Sequence, residues 1–457
     1  MITFGDGNLR IPEFAQPVYV VAAGTTDFRK AYPEKQSTEL CMDAILMAIS
    51  DNELNVDLRE FRRMVNFCIY SQFADHFGDQ LLAASKIHDC LGFDPLPNLE
   101  IKTGGATGGS AVLAGAMAVA SGFASVVPVI GWERMDEVST RQGNAYIASA
   151  ACKDFESELG WSYTSYYALM MKRYLETYHP PRETLARIAQ KNHFYAQFSP
   201  FSQSPKEYTI QEILNAPVVS DPLTFPECCV MSTGASCIIL ANEEAAHALT
   251  ANPILIAGIG SGSHTLRTAD RRGMDVLALP NESPELLQVY REREDKWPGF
   301  TGFLAARFAA RQAYGMAGIT DPLAELDILE THDAFTVSDI QTYEDIGLRP
   351  YGCGYDFIES GDAFYNGKLP TNLSGGLLGT MHAVGATGIF QIAELFWQLQ
   401  NRWNHFHADP GMWRAFGKEK PKNFMNLQVK DATTGMAVSH AGTGSHVVCT
   451  ILRREEF

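Results

Sequence analysis

The stretch Gly385-Ala386-Thr387-Gly388, followed by the apolar run 389–399 (IFQIAELFWQL), decides the fold. The same residues in the same order stand far upstream as Gly105-Ala106-Thr107-Gly108, ahead of the small-residue run 110–120. Each copy is a glycine-rich turn opening onto a segment too apolar to face water, which predicts a buried helix. A strand is expected after each: 124–131 after the first and 445–452 after the second. Two copies of a turn–helix–strand unit predict a duplicated α/β domain.

The rest of the chain fits around this pair. Residues 17–23 (PVYVVAA) end at Gly24 and predict a buried strand, as do 65–69, 230–240, 253–260 and 326–330. Helical spacing marks 38–50, through Leu40, Ile45 and Ile49, and the alanine-rich run 302–317. Pro128 is awkward inside its strand, since it donates nothing to a ladder, and an edge or bulge is expected there. From about 144 to 225 the chain is more aromatic and polar, with helices predicted at 163–178 and 182–197 between proline pairs. This predicts a loop domain inserted into the main sheet. Residues 401–432, rich in Trp, Asn, Lys and Pro, are expected to form an exposed insertion and a contact surface.

Composition narrows the function. With 457 residues, 46% hydrophobic and 19% charged, the chain has material for one large core or two packed halves. A net charge of −17 argues against binding nucleic acid through its phosphates. Nine scattered cysteines without a C-x-x-C pair predict reduced thiols in a cytoplasmic protein. Residues 1–26 lack the pattern of a secretory signal. The uncharged stretch 103–132 is long enough to span a bilayer, but Gly, Ala and Ser dominate it and Gly122 and Pro128 interrupt it. It is expected to be a buried helix and strand, not a membrane span.

Candidate chemistry gathers in the last third. His382 stands three residues before Gly385, and His332 lies at the end of a predicted strand in Glu330-Thr331-His332-Asp333-Ala334-Phe335. In α/β proteins ligands collect at such ends. His440 begins a third glycine-rich turn, through Gly442 and Gly444. Backbone amides at Gly105, Gly108, Gly385, Gly442 and Gly444, with these imidazoles, predict a site that stabilises an oxyanion. Taken alone, the glycines equally predict close helix packing, and each histidine a structural hydrogen bond. His405 and His407 have metal-like spacing without a third ligand, so no metal is expected, and Cys228-Cys229 fits a buried core. There is no G-x-S-x-G, Walker loop or H-E-x-x-H.

Several blocks, in order, resemble the thiolase superfamily. Residues 330–348 (ETHDAFTVSDIQTYEDIGL) are similar to the H-D-A-F/H-D-C-F block of archaeal and sterol-carrier-protein-type thiolases. Residues 375–399 (GGLLGTMHAVGATGIFQIAELFWQL) resemble their G-H-P-x-G-A-T-G block. Lys191-Asn192-His193 and 214–229 (LNAPVVSDPLTFPECC) resemble loop-region blocks, 103–135 the nucleophile segment, and 17–29 the first strand. The chain also departs from the pattern. Gly105 stands where the family carries its nucleophilic cysteine, and His440-Ala441 where biosynthetic thiolases carry a second one. Met381 and Ala383 replace the Gly and Pro that flank the second histidine.

The resemblance implies a five-layered α-β-α-β-α duplicated fold. Its N-terminal half would be 1–260, with a loop domain at about 136–225, and its C-terminal half 261–457, with the polar insertion at about 401–432. It implies a CoA thioester as substrate, no bound cofactor, and a homodimer or tetramer. A glycine cannot carry an acyl group, so ping-pong thiolysis is not expected. What is left is an enolate site of His332, His382 and, less centrally, His440. Some thiolase-like proteins without the cysteine are retro-aldolases or acyltransferases that partner a small zinc-ribbon/OB-fold protein. The alternative is a non-catalytic subunit that binds acyl-CoA and supports an active partner.

Overall fold

A computed structural model describes residues 10–50, 54, 56–271, 277–292 and 299–455. The first nine residues of the stretch examined for a secretory signal lie outside the described residues. The strands in chain order are β1 (Val18–Thr25), β2 (Cys68–Ser71), β3 (Asn98–Ile101), β4 (Val126–Arg134), β5 (Val218–Ser220), β6 (Leu223–Thr224), β7 (Thr233–Asn242), β8 (Ile254–Ser263), β9 (Ile328–Glu330), β10 (Thr434–Ala441) and β11 (His446–Arg453). Strands β5 and β6 form a separate hairpin, and the others one sheet in the order β3-β2-β4-β7-β1-β8-β11-β10-β9.

The sheet shows the duplication directly. In the first half β1 and β7 are antiparallel, β7 and β4 antiparallel, and β4 and β2 parallel. In the second half β8 and β11 are antiparallel, β11 and β10 antiparallel, and β10 and β9 parallel. Even the outermost β3 has a counterpart, an isolated parallel bridge from Leu329 to Thr371. The two half-sheets are joined where Tyr19 and Val20 of β1 pair with Leu255 and Ile254 of β8. The strand after the second helix is therefore β10, not the 445–452 run expected from sequence, which is β11, the counterpart of β7 in the second half. Residues 135–232 replace what is a turn of four residues (442–445) in the second half.

Between the half-sheets lie the Thr107–Ala120 and Val384–Leu399 helices, with Ser37–Ser50 outside the first half and Leu304–Ala317 outside the second. This is five layers, α-β-α-β-α. Every residue of Val384–Leu399 is buried, so its polar side chains must find partners inside. Gln391 Nε2 donates to the Thr331 carbonyl at 2.7 Å, and Gln398 Nε2 to that of Leu427 at 2.9 Å. The two central helices touch backbone to backbone: a Cβ on Gly388 would lie 2.4 Å from Gly109 N, and one on Gly108 2.7 Å from Gly388 N.

Pro128 lies in an internal strand, yet β2 pairs with β4 only from Val129 onward. Val126 N–H bonds to Asn66 on the β2 side, so the Pro128 nitrogen, two residues on, faces that side before pairing begins. The expected edge position is local. The insertion 401–432 is mostly exposed or half-buried, and it is anchored: Trp403, Phe406, His407 and Leu427 are fully buried against the second central helix. Its polar composition hid an aromatic anchor. Among the described residues no helix is long and apolar enough to cross a membrane.

Candidate active site

The three singled-out histidines reach one cavity, of about 180 Å³, together with Gly105. His332 lies just beyond the end of β9. Its neighbour Asp333 accepts from Leu377 N at 2.7 Å and Asn192 Nδ2 at 2.6 Å, which fixes that strand end. His382 precedes the second central helix, its N–H on Ser232 Oγ at 2.9 Å. His440 is near the end of β10, and its Nε2 lies 2.8 Å from the Tyr167 hydroxyl. Ring centroids of His332 and His382 are 5.0 Å apart at 87°, and those of His332 and His440 4.3 Å apart at 47°.

Burial pushes all three imidazoles down, His382 to about 4 and His440 to about 3. His332 is held well below its ordinary value, first by burial and then because a charge on either neighbour would repel its own. The cluster is neutral at pH 7, so each ring offers one N–H and one lone pair. His382 Nδ1 is 3.1 Å from Thr387 Oγ1, which is also 3.1 Å from the Ala383 carbonyl. With the Thr387 proton on that carbonyl, as helical threonines commonly place it, Nδ1 carries the His382 hydrogen and Nε2 keeps its lone pair. Nδ1 of His332 and of His440 have no hydrogen-bond partner among the described residues.

The glycines divide. Gly105 and Gly442 line the cavity. Gly108 is spent on the helix crossing. The Gly385 N–H donates to Glu133 Oε2 at 3.1 Å, so it is not free for a ligand. Gly444, at φ +83°, sits against the Phe303 ring. Elsewhere, His407 bonds to Glu394 at 3.1 Å and stacks on Trp403, a structural role. Among the described residues no cluster suited to a metal occurs.

The sequence leaves Cys229 and the apolar wall without a role in this site, and offers Tyr163 and Tyr167 only within an aromatic set (Trp161, Tyr163, Tyr166, Tyr167, Phe194, Tyr195) that fits an acyl-pocket lining or core packing. Cys229 lines the cavity, although its pair was expected in the core. Burial holds its thiol protonated, well above the ordinary range, and it makes no hydrogen bond to an imidazole among the described residues. Of the loop-domain aromatics, Tyr163 and Tyr167 line the cavity, whereas Tyr166 turns away to Glu156 at 3.0 Å. Phe335 stacks on Tyr167 at 4.4 Å. The remaining wall is largely apolar, through Phe73, Met135, Ile147, Val219 and Met231.

A duplicated five-layer α/β fold with an imidazole cluster at the ends of its central elements defines a class that comparison makes specific. Residues 18–207 match the thiolase N-terminal domain and 289–409 the thiolase C-terminal domain-like family. The chain is 31% identical over 371 residues to acetyl-CoA acetyltransferase of Methanothermobacter thermautotrophicus, covering 81% of this chain and 84% of that one. It is 30% identical over 395 residues to sterol carrier protein 2 of Gallus gallus, covering 84% of this chain and 66% of the chicken protein. Among solved structures, an Ltp2-ChsH2(DUF35) aldolase superposes with a TM-score of 0.74 at 20% identity, over 98% of this chain and 100% of that one. The chain belongs to the thiolase family.

Proposed function

We propose that this protein makes or breaks a carbon–carbon bond beside a CoA thioester through an enolate, without a cysteine acyl-enzyme, and that retro-aldol cleavage of a β-hydroxyacyl-CoA is its reaction. One observation carries this reading: a Cβ on Gly105 would stand 3.4 Å from His332 Nε2, yet no thiol occupies that position. Cys229 does not substitute, being protonated and without an imidazole partner. The cavity keeps the groups that hold negative charge and lacks the sulfur that would hold an acyl group.

The step follows from the tautomers. His382 Nε2 takes the proton of the β-hydroxyl, and the O–H electron pair becomes the second bond of a new carbonyl. The Cα–Cβ bond breaks and its pair moves onto the thioester, whose oxygen accepts the His332 N–H as charge develops. Cα then takes the proton back from His382, leaving a shortened acyl-CoA and an aldehyde or ketone. An imidazolium is costly in this cavity alone, but here it forms only beside the enolate.

The apolar lining fits a bulky hydrocarbon acyl group. The aldolase of the same fold names two components, and for this chain a small zinc-ribbon/OB-fold partner, or self-association as a dimer or tetramer, is part of the reading. Nine free cysteines fit the reducing cytoplasm. The test offers β-hydroxyacyl-CoA, or β-ketoacyl-CoA with free CoA, to the chain with and without products of neighbouring genes. Release of aldehyde or ketone supports the proposal, and thiolysis through an acylated cysteine seen by mass spectrometry overturns it.

A further inference from the structure

His332 meets the thioester oxygen and His382 the proton of the β-hydroxyl, which leaves the β-oxygen itself without a donor, and Tyr163 in the same cavity can supply one. The buried tyrosines around this site are hydrogen-bonded: Tyr166 to Glu156 at 3.0 Å, Tyr167 to His440 at 2.8 Å, Tyr314 to the Ile346 carbonyl at 2.8 Å and Tyr343 to Asp339 at 2.9 Å. The Tyr163 hydroxyl is as cut off from water and has no hydrogen-bond partner among the described residues, though Tyr163 lines the cavity. An unmade hydrogen bond of this kind costs about 1–3 kcal/mol, which a ligand oxygen would recover.

Two further features favour an oxygen there. Tyr163 is the first residue of the 16-residue helix Tyr163–Tyr178, and its neighbours Ser162 and Thr164 line the cavity with it. The cap Ser162 Oγ accepts the Ser165 N–H at 3.4 Å and shares hydrogen bonds with Thr164 Oγ1 at 2.7 Å and Ser165 Oγ at 3.1 Å, so the positive helix start borders the cavity that Ser162, Tyr163 and Thr164 line. Arg271, 7% exposed, lies within electrostatic reach of Tyr163 and Tyr167. Its guanidinium donates to the Thr443 carbonyl at 2.6 Å, Thr443 Oγ1 at 3.0 Å and the Gly442 carbonyl at 3.3 Å, and its Nε has no partner. The carboxylates that act on it through space form no ion pair with it among the described residues, and each accepts a backbone N–H: Glu156 from Thr268 at 2.7 Å and Asp345 from Phe303 at 2.6 Å. A buried cation without an ion pair is expensive unless it serves negative charge nearby.

We propose that this wall is an oxygen subsite, in which the Tyr163 hydroxyl donates to the β-oxygen of a β-oxygenated acyl thioester while His382 faces the proton on that oxygen and His332 holds the thioester oxygen. Tyr163 touches substrate and is a catalytic residue. Arg271 acts through the Gly442–Thr443 turn and through space, and is a positioning residue. The subsite rests on the acyl-thioester reading for its ligand and selects β-hydroxy and β-keto acyl groups over unsubstituted ones.

Binding separates this claim from the reaction. Affinities for 3-hydroxyacyl-CoA and for the unsubstituted acyl-CoA of equal length would be measured in a His382→Ala background, so that the ligand persists. The host protein is expected to prefer the 3-hydroxy ligand by about fivefold to tenfold, the worth of one hydrogen bond. Adding Tyr163→Phe removes that preference and leaves affinity for the unsubstituted ligand unchanged, which also reports an intact fold. Arg271→Met reduces the preference and Arg271→Lys restores most of it. An equal preference with and without the Tyr163 hydroxyl overturns the subsite, even if the wild-type chain cleaves substrate. Discrimination by a wild-type chain that shows no turnover would leave the subsite standing and sink the retro-aldol reading. Absence of acyl-CoA binding defeats both.

Discussion

A Cβ built on Gly105 would stand 2.5 Å from the carbonyl oxygen of His440. The end of β10 has closed over the position from which a nucleophile would reach the His332 imidazole. Gly105→Cys is therefore expected not to yield a thiolase. The backbone must shift to admit any side chain, at about 1–3 kcal/mol for overpacking. A thiolysis assay with a β-ketoacyl-CoA and free CoA, beside a melting curve, checks both parts. Efficient thiolysis with an unchanged melting temperature would show that the site has kept room for the sulfur.

The imidazoles are predicted to divide their work. His332→Ala removes the N–H that meets the developing enolate and should lower kcat by about 10²–10³. His382→Ala removes the base and should cost about 10²–10⁴. Thr387→Val should cost about tenfold or less, because it frees the tautomer of His382 while leaving the ring in place. Steady-state kinetics of the three variants decide the order. Wild-type turnover by His382→Ala would defeat the assignment.

Part of this site was legible in the sequence because its chemistry sits at places that local pattern marks. His332 closes a strand run, His382 precedes a repeated glycine turn, and His440 begins another. Other parts depend on residues brought together from afar. Arg271 lies in a segment without periodicity, and nothing in sequence links it to the turn at Thr443. Tyr163 and Tyr166 look alike in the chain, and only the helix's orientation sends one to the cavity and the other to Glu156. Gly385 carries the same Gly-Ala-Thr-Gly signature as Gly105, yet its N–H is taken by Glu133, a residue of a different strand. The duplication was readable, but β10 was not. The aromatic anchors of 401–432 separate it from its helix and made the later β11 run look like the repeat's strand.

Cys229 is the thiol nearest the chemistry, and its predicted irrelevance is informative. Burial, with neighbouring negative groups, keeps it protonated far above neutral pH. Cys229→Ser should retain turnover within about threefold, since no covalent step passes through it. The check is kcat for the variant together with intact-mass spectra of the wild type during turnover. A loss of a thousandfold, or an acyl adduct on that residue, would move the mechanism back to acyl-enzyme chemistry.

Stability should fall between pH 6.5 and 8.5, against the usual behaviour of an acidic protein. Burial raises Glu133, Glu330 and Glu344 from 4.5 to about 8, and Asp333 and Asp345 from 3.8 to about 7. A carboxyl raised in the fold binds its proton more tightly there than in the unfolded chain. Its contribution is therefore complete below its unfolded value and is lost as pH climbs through the folded one. The depressed histidines act in the opposite sense. Their contribution is complete above 6.5 and is lost as pH falls from there toward about 4 for His382 and about 3 for His440. Between 6.5 and 8 the histidine contribution is constant and the carboxyls alone set the slope. Melting temperature should thus decline across that interval, and Glu330→Gln, which keeps an acceptor for Ser374 without a titrating proton, should flatten the decline. A melting temperature that rises with pH over the same range would mean that these carboxyls are ionised and paired inside the fold.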